Sequence, residues 1–175
     1  TSAPDRRRGR KQLTEQRLRI EARKIYQAAL AQVEPGAAVH RAMDLKGDNL
    51  TVAGQTIDLS QFEKIIAVGA GKAGAPMAGA LEVILGDRLI DGVVVVKDGH
   101  GGPTRKVRIF EASHPVPDSR GVAAGKEIAA LLEAHSGPRT LVFCLISGGG
   151  SALLVGPAKG LSLEDKQQTT NALLA

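Results

Sequence analysis

Lys64-Ile-Ile-Ala-Val68-Gly69-Ala-Gly71-Lys72-Ala-Gly74 is the stretch on which the fold turns. Ile65 to Val68 is an unbroken apolar run, the pattern of a strand covered on both faces. It passes directly into glycines spaced G-x-G-x-x-G, beyond which a helical stretch continues to about Leu85. Glycines there allow a tight turn and let an anion approach backbone N–H groups at a helix amino end. The alternation continues downstream. Strand-like runs occupy 92–96, 107–111 and 141–146, and a helix is expected from 119 to about 134. Apolar strands alternating with helices predict an α/β fold, a mainly parallel sheet with helices on each side.

Ligands of such sheets sit beyond the carboxyl ends of the strands. Three unusual loops fall there, at 69–74, 113–118 and 147–151. Upstream, Thr14 is placed to cap a helix running to about Val33, with Leu18, Ala22, Ile25, Ala29 and Val33 on one face. Pro35-Gly36 is expected to stop it, and residues 50–58 read as two small strands around Gly54. Near the end, Ser162-Leu-Glu-Asp165 is a capping-box-like start to a helix. No stop signal follows before Ala175, so the sequence is expected to continue into a larger protein.

Composition bounds the class. With 43% hydrophobic and 23% charged residues over 175 positions, the chain can bury a core and is neither disordered nor a membrane protein. The apolar run 141–146 is far too short to cross a bilayer, and the polar amino end lacks the pattern of a signal peptide. A single cysteine, Cys144, rules out an internal disulfide framework and fits a reducing compartment, so a cytoplasmic location is expected. Aromatic residues are few (Tyr26, Phe62, Phe110 and Phe143), which argues against a base-stacking surface for nucleic acid.

The formal net charge of +5 is unevenly spread. Residues 1–24 carry nine Lys or Arg against Asp5, Glu15 and Glu21, while the remainder holds 14 basic and 15 acidic residues. Basicity therefore belongs to an amino-terminal extension. Residues 1–13 are expected to form a basic, disordered tail and 14–175 the folded part. The expected partners are small molecules, with neither nucleic acid nor membrane, and assembly into a homo-oligomer is left open.

Each loop has a chemical reading and a plainer one. In 69–74, Lys72 beside the glycine turn suits a phosphate or carboxylate, although a solvated lysine at a strand-to-helix turn is the bland alternative. The loop is not a Walker A motif, because position 66 is Ile and Ala73 stands where Ser or Thr would hold the metal. A dinucleotide fingerprint would want an acid about 20 residues on, and Asp98 is the rough candidate.

In Ser147-Gly148-Gly149-Gly150-Ser151, three glycines between two hydroxyls leave backbone donors accessible to an anion, or make a flexible connector. Leu145 and Leu153 exclude the hydrolase elbow around either serine. In His114-Pro-Val-Pro-Asp118, prolines stiffen a loop that holds His114 and Asp118 in a fixed relation, as a proton relay or a ligand-positioning pair. Asp118 can equally cap the helix that starts at 119. His40, His100 and His135 are less informative, and no metal-ligand spacing emerges.

Taken in order, four segments carry a resemblance. They are Val68-Gly69-Ala-Gly71-Lys72-Ala73 with Met77-Ala78, then His114-Pro115-Val-Pro117-Asp118, then Leu145-Ile-Ser147-Gly-Gly-Gly-Ser151-Ala152-Leu153, then Leu163-Glu-Asp165-Lys166. From about residue 17 to 175 the chain resembles the glycerate 2-kinase family, whose members carry a carboxy-terminal MOFRL domain and include some labelled hydroxypyruvate reductases.

The resemblance implies a Rossmann-like three-layer domain, present here as its amino-terminal portion without the remainder or the MOFRL domain. It implies transfer of a phosphoryl group from ATP, with Mg²⁺, to the 2-hydroxyl of D-glycerate. Lys72 matches the lysine the family places in its cleft and is expected to be catalytic. Gly69, Gly71, His114, Asp118, Ser147, Gly148, Gly149, Gly150 and Ser151 are expected to bind substrate or phosphate. No metal ligand is expected among these residues. These 175 residues alone are expected to be inactive as a kinase. The alternatives are an NAD(P)H-dependent hydroxypyruvate reductase and a non-catalytic sugar-phosphate-binding module, since residues 69–75 also look like the anion loop of sugar isomerase domains.

Overall fold

The computed structural model describes residues 6–175, with side chains from Thr14 onward. The first five residues of the expected tail lie outside the described residues. The chain runs α1 (Arg6–Gln32), α2 (Pro35–Ala42), β1 (Met43–Lys46), β2 (Asn49–Val52), β3 (Gln55–Asp58), β4 (Lys64–Ala70) and α3 (Gly74–Leu85). It continues through β5 (Leu89–Lys97), β6 (Val107–Ala112), α4 (Ser119–Ala134), β7 (Thr140–Ile146), α5 (Gly150–Leu153) and α6 (Leu163–Leu174).

The parallel sheet is observed, in the order β6-β5-β4-β7. Side chains alternate between its faces, which divides the core in two. Ile65, Ala67, Val94, Val96 and Leu145 pack with Ala78, Leu81 and Leu85 of α3 on one face. Ile66, Val68, Ala70, Val93, Val95 and Ala112 pack with Ala124, Ile128 and Leu131 of α4 on the other. Helices on both faces make the three layers. A small antiparallel sheet, β1-β2-β3, closes the α3 side by burying Leu50 against that core.

Several boundaries differ from the sequence reading. Pro35 does not merely end a helix: it opens α2, where its missing N–H costs nothing and Glu34 caps the next two donors, Gly36 N at 2.9 Å and Ala37 N at 2.5 Å. β1 was not anticipated, since its four residues make no apolar run. α1 begins at Arg6, so Thr14 lies inside it, and the helix extends through the arginine run expected as tail, whose Arg, Lys and Gln are good helix formers. Its apolar residues do not enter a core: Leu18, Ile25 and Val33 are 66%, 72% and 69% exposed.

β7 likewise departs from burial on both faces. It is an edge strand, and Val142, Cys144 and Ile146, in register with the buried Ile66, Val68 and Ala70, are exposed.

Candidate functional site

β4 and β7 lie side by side where the strand order reverses, with Ala70 opposite Ile146. In open α/β sheets, that switch point is where the loops part and a crevice opens. Here the two loops are laced together. Ser147 N donates to Ala70 O at 3.2 Å, Lys72 N to Gly148 O at 3.0 Å, and Ala73 N to Ser147 Oγ at 3.0 Å. Gly71 N donates to Val95 O at 2.9 Å and Gly74 N to Gly71 O at 3.0 Å.

These bonds correct the reading of the first loop. The N–H groups expected to cradle an anion are already bonded to protein acceptors, and the Ser147 hydroxyl sits at the start of α3. Gly69 and Gly71 serve close approach between strands. A Cβ on Gly69 would collide with the Leu145 carbonyl, and one on Gly71 with Ser147 Oγ. What this turn offers a ligand is the Lys72 side chain, exposed and without an ion pair among the described residues.

The second loop behaves in the opposite way. The backbone N–H groups of Gly148, Gly149, Gly150 and Ser151 donate to no acceptor among the described residues, while Ala152 N returns to Gly149 O at 3.2 Å. Gly149 takes φ 92° to start the short turn α5, a left-handed value that favours glycine. It is also the meeting point of the site. A Cβ there would lie 2.8 Å from Cδ2 and Nε2 of His114 and 3.4 Å from Cε of Lys72. Lys72, His114 and the 147–151 loop, far apart in sequence, therefore converge.

The charges around this point are sorted. Asp118 accepts from Arg120 N at 3.1 Å and Gly121 N at 3.2 Å, capping α4, and its other oxygen binds Arg120 Nε at 2.7 Å. It is the cap of this helix, the plainer of the two readings of its place in the sequence. Burial raises its pKa, but the Arg120 guanidinium and the N–H groups of Gly121 and Ser113 outweigh that and lower it.

The same guanidinium grips Asp98 through two bonds of 2.6 and 2.8 Å, which lowers the Asp98 pKa and occupies the carboxylate considered for a ribose hydroxyl. Glu111 accepts from Gly99 N at 3.2 Å and Gly101 N at 2.9 Å. With these carboxylates committed, Lys72, Lys97, His100 and His114 dominate the crest. Burial lowers the His114 pKa, and the charges of Lys72 and then Lys97 lower it further, so its imidazole is neutral at pH 7.

The second and third of these groups were not singled out by the sequence. His100 Nδ1 lies 3.2 Å from Lys72 O, and His100 N donates to Lys97 O at 2.9 Å, so the β5 turn is tied to the backbone of Lys72. Lys97 ends β5, the same position in a strand that drew attention to the other loops, and that was the available signal.

Ala70, Ile146, Ser147, Gly149, Gly150, Ser151 and Leu154 line a cavity of about 380 Å³ beside the second loop. A larger one, about 530 Å³, lies between α2, α3 and Gly101–Pro103, but its lining is small and apolar apart from His40 and Glu34, whose carboxylate caps α2. Among the described residues no group of three or more His, Cys, Asp or Glu side chains could hold a metal ion.

A family described as a domain of unknown function, DUF4147, matches residues 21–175. An Agrobacterium vitis protein whose name carries "hydroxypyruvate reductase" is 49% identical over 112 residues, covering 64% of this chain and 29% of its own length. The glycerate 2-kinase of Pyrococcus horikoshii is 38% identical over 146 residues, covering 83% of this chain and 32% of its own. A crystal structure of a protein from the same organism matches with a TM-score of 0.78 at 36% identity, over 90% of this chain and 35% of that one. The chain spans about a third of the length of these relatives.

Proposed function

The chain belongs to the DUF4147 family, and from that premise we propose that the protein it forms part of transfers a phosphoryl group from ATP to the 2-hydroxyl of D-glycerate, giving 2-phosphoglycerate. The observation that carries the proposal is the meeting of Lys72, neutral His114 and the unoccupied backbone donors of Gly148 to Ser151 at one point. Phosphoryl transfer asks a protein mainly to position groups and to neutralise charge on the moving phosphoryl oxygens. An unpaired lysine beside four open N–H groups meets both demands.

In the proposed step, the 2-hydroxyl oxygen bonds to the γ-phosphorus as the bond to the β,γ-bridging oxygen breaks. ADP leaves, and the hydroxyl proton passes to the imidazole of His114. The crest carboxylates of this chain do not fit magnesium, because Asp98 and Asp118 are bound to Arg120 and Glu111 to loop N–H groups.

The test is turnover of D-glycerate with ATP by the intact protein and by Lys72→Ala. A loss of at least about a hundredfold in kcat, with an unchanged unfolding midpoint, is expected. Near-wild-type turnover by the variant would sink the role of Lys72.

A second reading, NAD(P)H-dependent reduction of hydroxypyruvate, is favoured by the name of the Agrobacterium vitis relative. Absorbance at 340 nm separates the two, since oxidation of NAD(P)H by hydroxypyruvate without ATP favours the reductase. Binding of a sugar phosphate with no turnover of either kind favours the non-catalytic sugar-phosphate-binding module.

A further inference from the structure

We propose that Lys97 is a second binding cation of this crest, holding the phosphate chain of the nucleotide from the β5 side while Lys72 holds it from the β4 side. The proposal rests on the kinase reading for the identity of the nucleotide, and on the geometry of this chain for the site.

Position comes first. Lys97 is the last residue of β5 and stands in register with Ala112, two residues before His114. Alternation along β5 places it on the face of Val93 and Val95, which also holds Ala70, Ala112 and Leu153 of α5. That is the face on which the 147–151 loop turns into α5. β4 and β5 are adjacent strands, with backbones about 5 Å apart, so the two lysines emerge as neighbours at one end of the sheet.

Charge comes second. Lys97 is half-buried, yet among the described residues it has no ion pair. The acids that could neutralise it are engaged elsewhere: Asp98 and Asp118 with Arg120, and Glu111 with Gly99 N and Gly101 N. Two ammonium groups both act on the His114 imidazole, and neither forms an ion pair among the described residues, although the Lys97 charge also reaches Asp98. Such a pair is satisfied by a ligand carrying more than one negative charge. A chain of phosphates carries such charges on several neighbouring groups. Pinning of the Lys97–His100 turn to the Lys72 carbonyl through His100 Nδ1 fixes the separation of the two backbones.

The experiment uses the full-length protein with Lys97→Gln and Lys97→Arg. Three quantities are measured: KM for ATP and for D-glycerate, affinity for inorganic pyrophosphate by calorimetry, and the pH midpoint of His114 by NMR. Lys97→Gln is expected to raise the KM for ATP by about tenfold or more, to change the KM for glycerate by less than about threefold, and to weaken pyrophosphate to a similar extent. Its His114 midpoint moves upward because a repelling charge is gone, and Lys97→Arg restores most of each value.

If the wild type binds pyrophosphate and Lys97→Gln does not, yet no glycerate is phosphorylated, Lys97 keeps its role and the kinase reading falls. The inference is overturned if pyrophosphate does not bind the wild type. It is equally overturned if folded Lys97→Gln binds pyrophosphate within about twofold of wild type, or if only the KM for glycerate moves.

Discussion

Ser147 Oγ accepts the backbone N–H of Ala73 at 3.0 Å, so a hydroxyl from the end of β7 occupies the helix start where an anion would otherwise sit. This contact closes the first glycine loop and leaves the second one open. Glycine turns that look alike in sequence thus have opposite roles, one for packing and one for offering donors.

Replacing Ser147 by Ala removes the acceptor and leaves the half-buried Ala73 N–H without a partner. An unsatisfied donor of this kind costs about 1–3 kcal/mol. Denaturant unfolding of Ser147→Ala is expected to show a loss in that range, and a value indistinguishable from wild type would deny the contact its role.

Gly149→Ala is expected to damage function more than stability. The added Cβ meets the His114 ring at 2.8 Å, and the φ of 92° disfavours any side chain. A left-handed residue costs about 1–2 kcal/mol, whereas displacement of His114 should lower kcat/KM by about tenfold or more. Both calorimetric unfolding and steady-state rates are needed, and an active, unstable variant would contradict the placement.

His114 should titrate below its ordinary value of 6.5, from burial first and then from Lys72 and Lys97. Because the unfolded chain then binds more protons in this window, stability rises with pH from the depressed value up to 6.5, and is lost as pH falls through it. Lys72→Met should move the NMR midpoint upward. A midpoint that ignores the substitution would separate the two residues.

Arg120→Gln should release two carboxylates at once, Asp98 and Asp118. The Asp98 carboxyl, now held low chiefly by the guanidinium, is expected to titrate at a higher pH in the variant. The freed carboxylates would then compete with phosphate for Lys72 and Lys97, raising the KM for ATP. An unmoved Asp98 titration in the folded variant would refute the clamp.

The 175-residue piece by itself is expected to turn over no glycerate with ATP. β7 is an open edge here, with Ile146 57% exposed beside the cavity of about 380 Å³, so one wall of the site is bare. Measurable turnover by the purified piece would overturn this.

Much of the architecture was legible because it is local. Buried strands such as β4 and β5 show as apolar runs, and the capping box at Ser162 and Asp165 shows as spacing. α2 was less visible, because one proline can end a helix or begin one, and only the Glu34 cap decides. The exposed stripe of α1 was misleading for a related reason: periodicity records which residues share a face, and not whether anything covers it.

For the site, the sequence by itself determined which residues stand at the carboxyl ends of strands, including Lys72, His114 and the run from Ser147 to Ser151. Only the tertiary structure decided which of them meet. Parallel register brings β4, β5, β6 and β7 to one crest, and hydrogen bonding across it settles which N–H groups remain open and which acids are neutralised. On that basis Asp118 is engaged by Arg120, while Lys97 has no ion pair among the described residues. Whether a charge is available depends on its neighbours in space, and Arg120, unremarked in the sequence, takes one carboxylate from each of two loops.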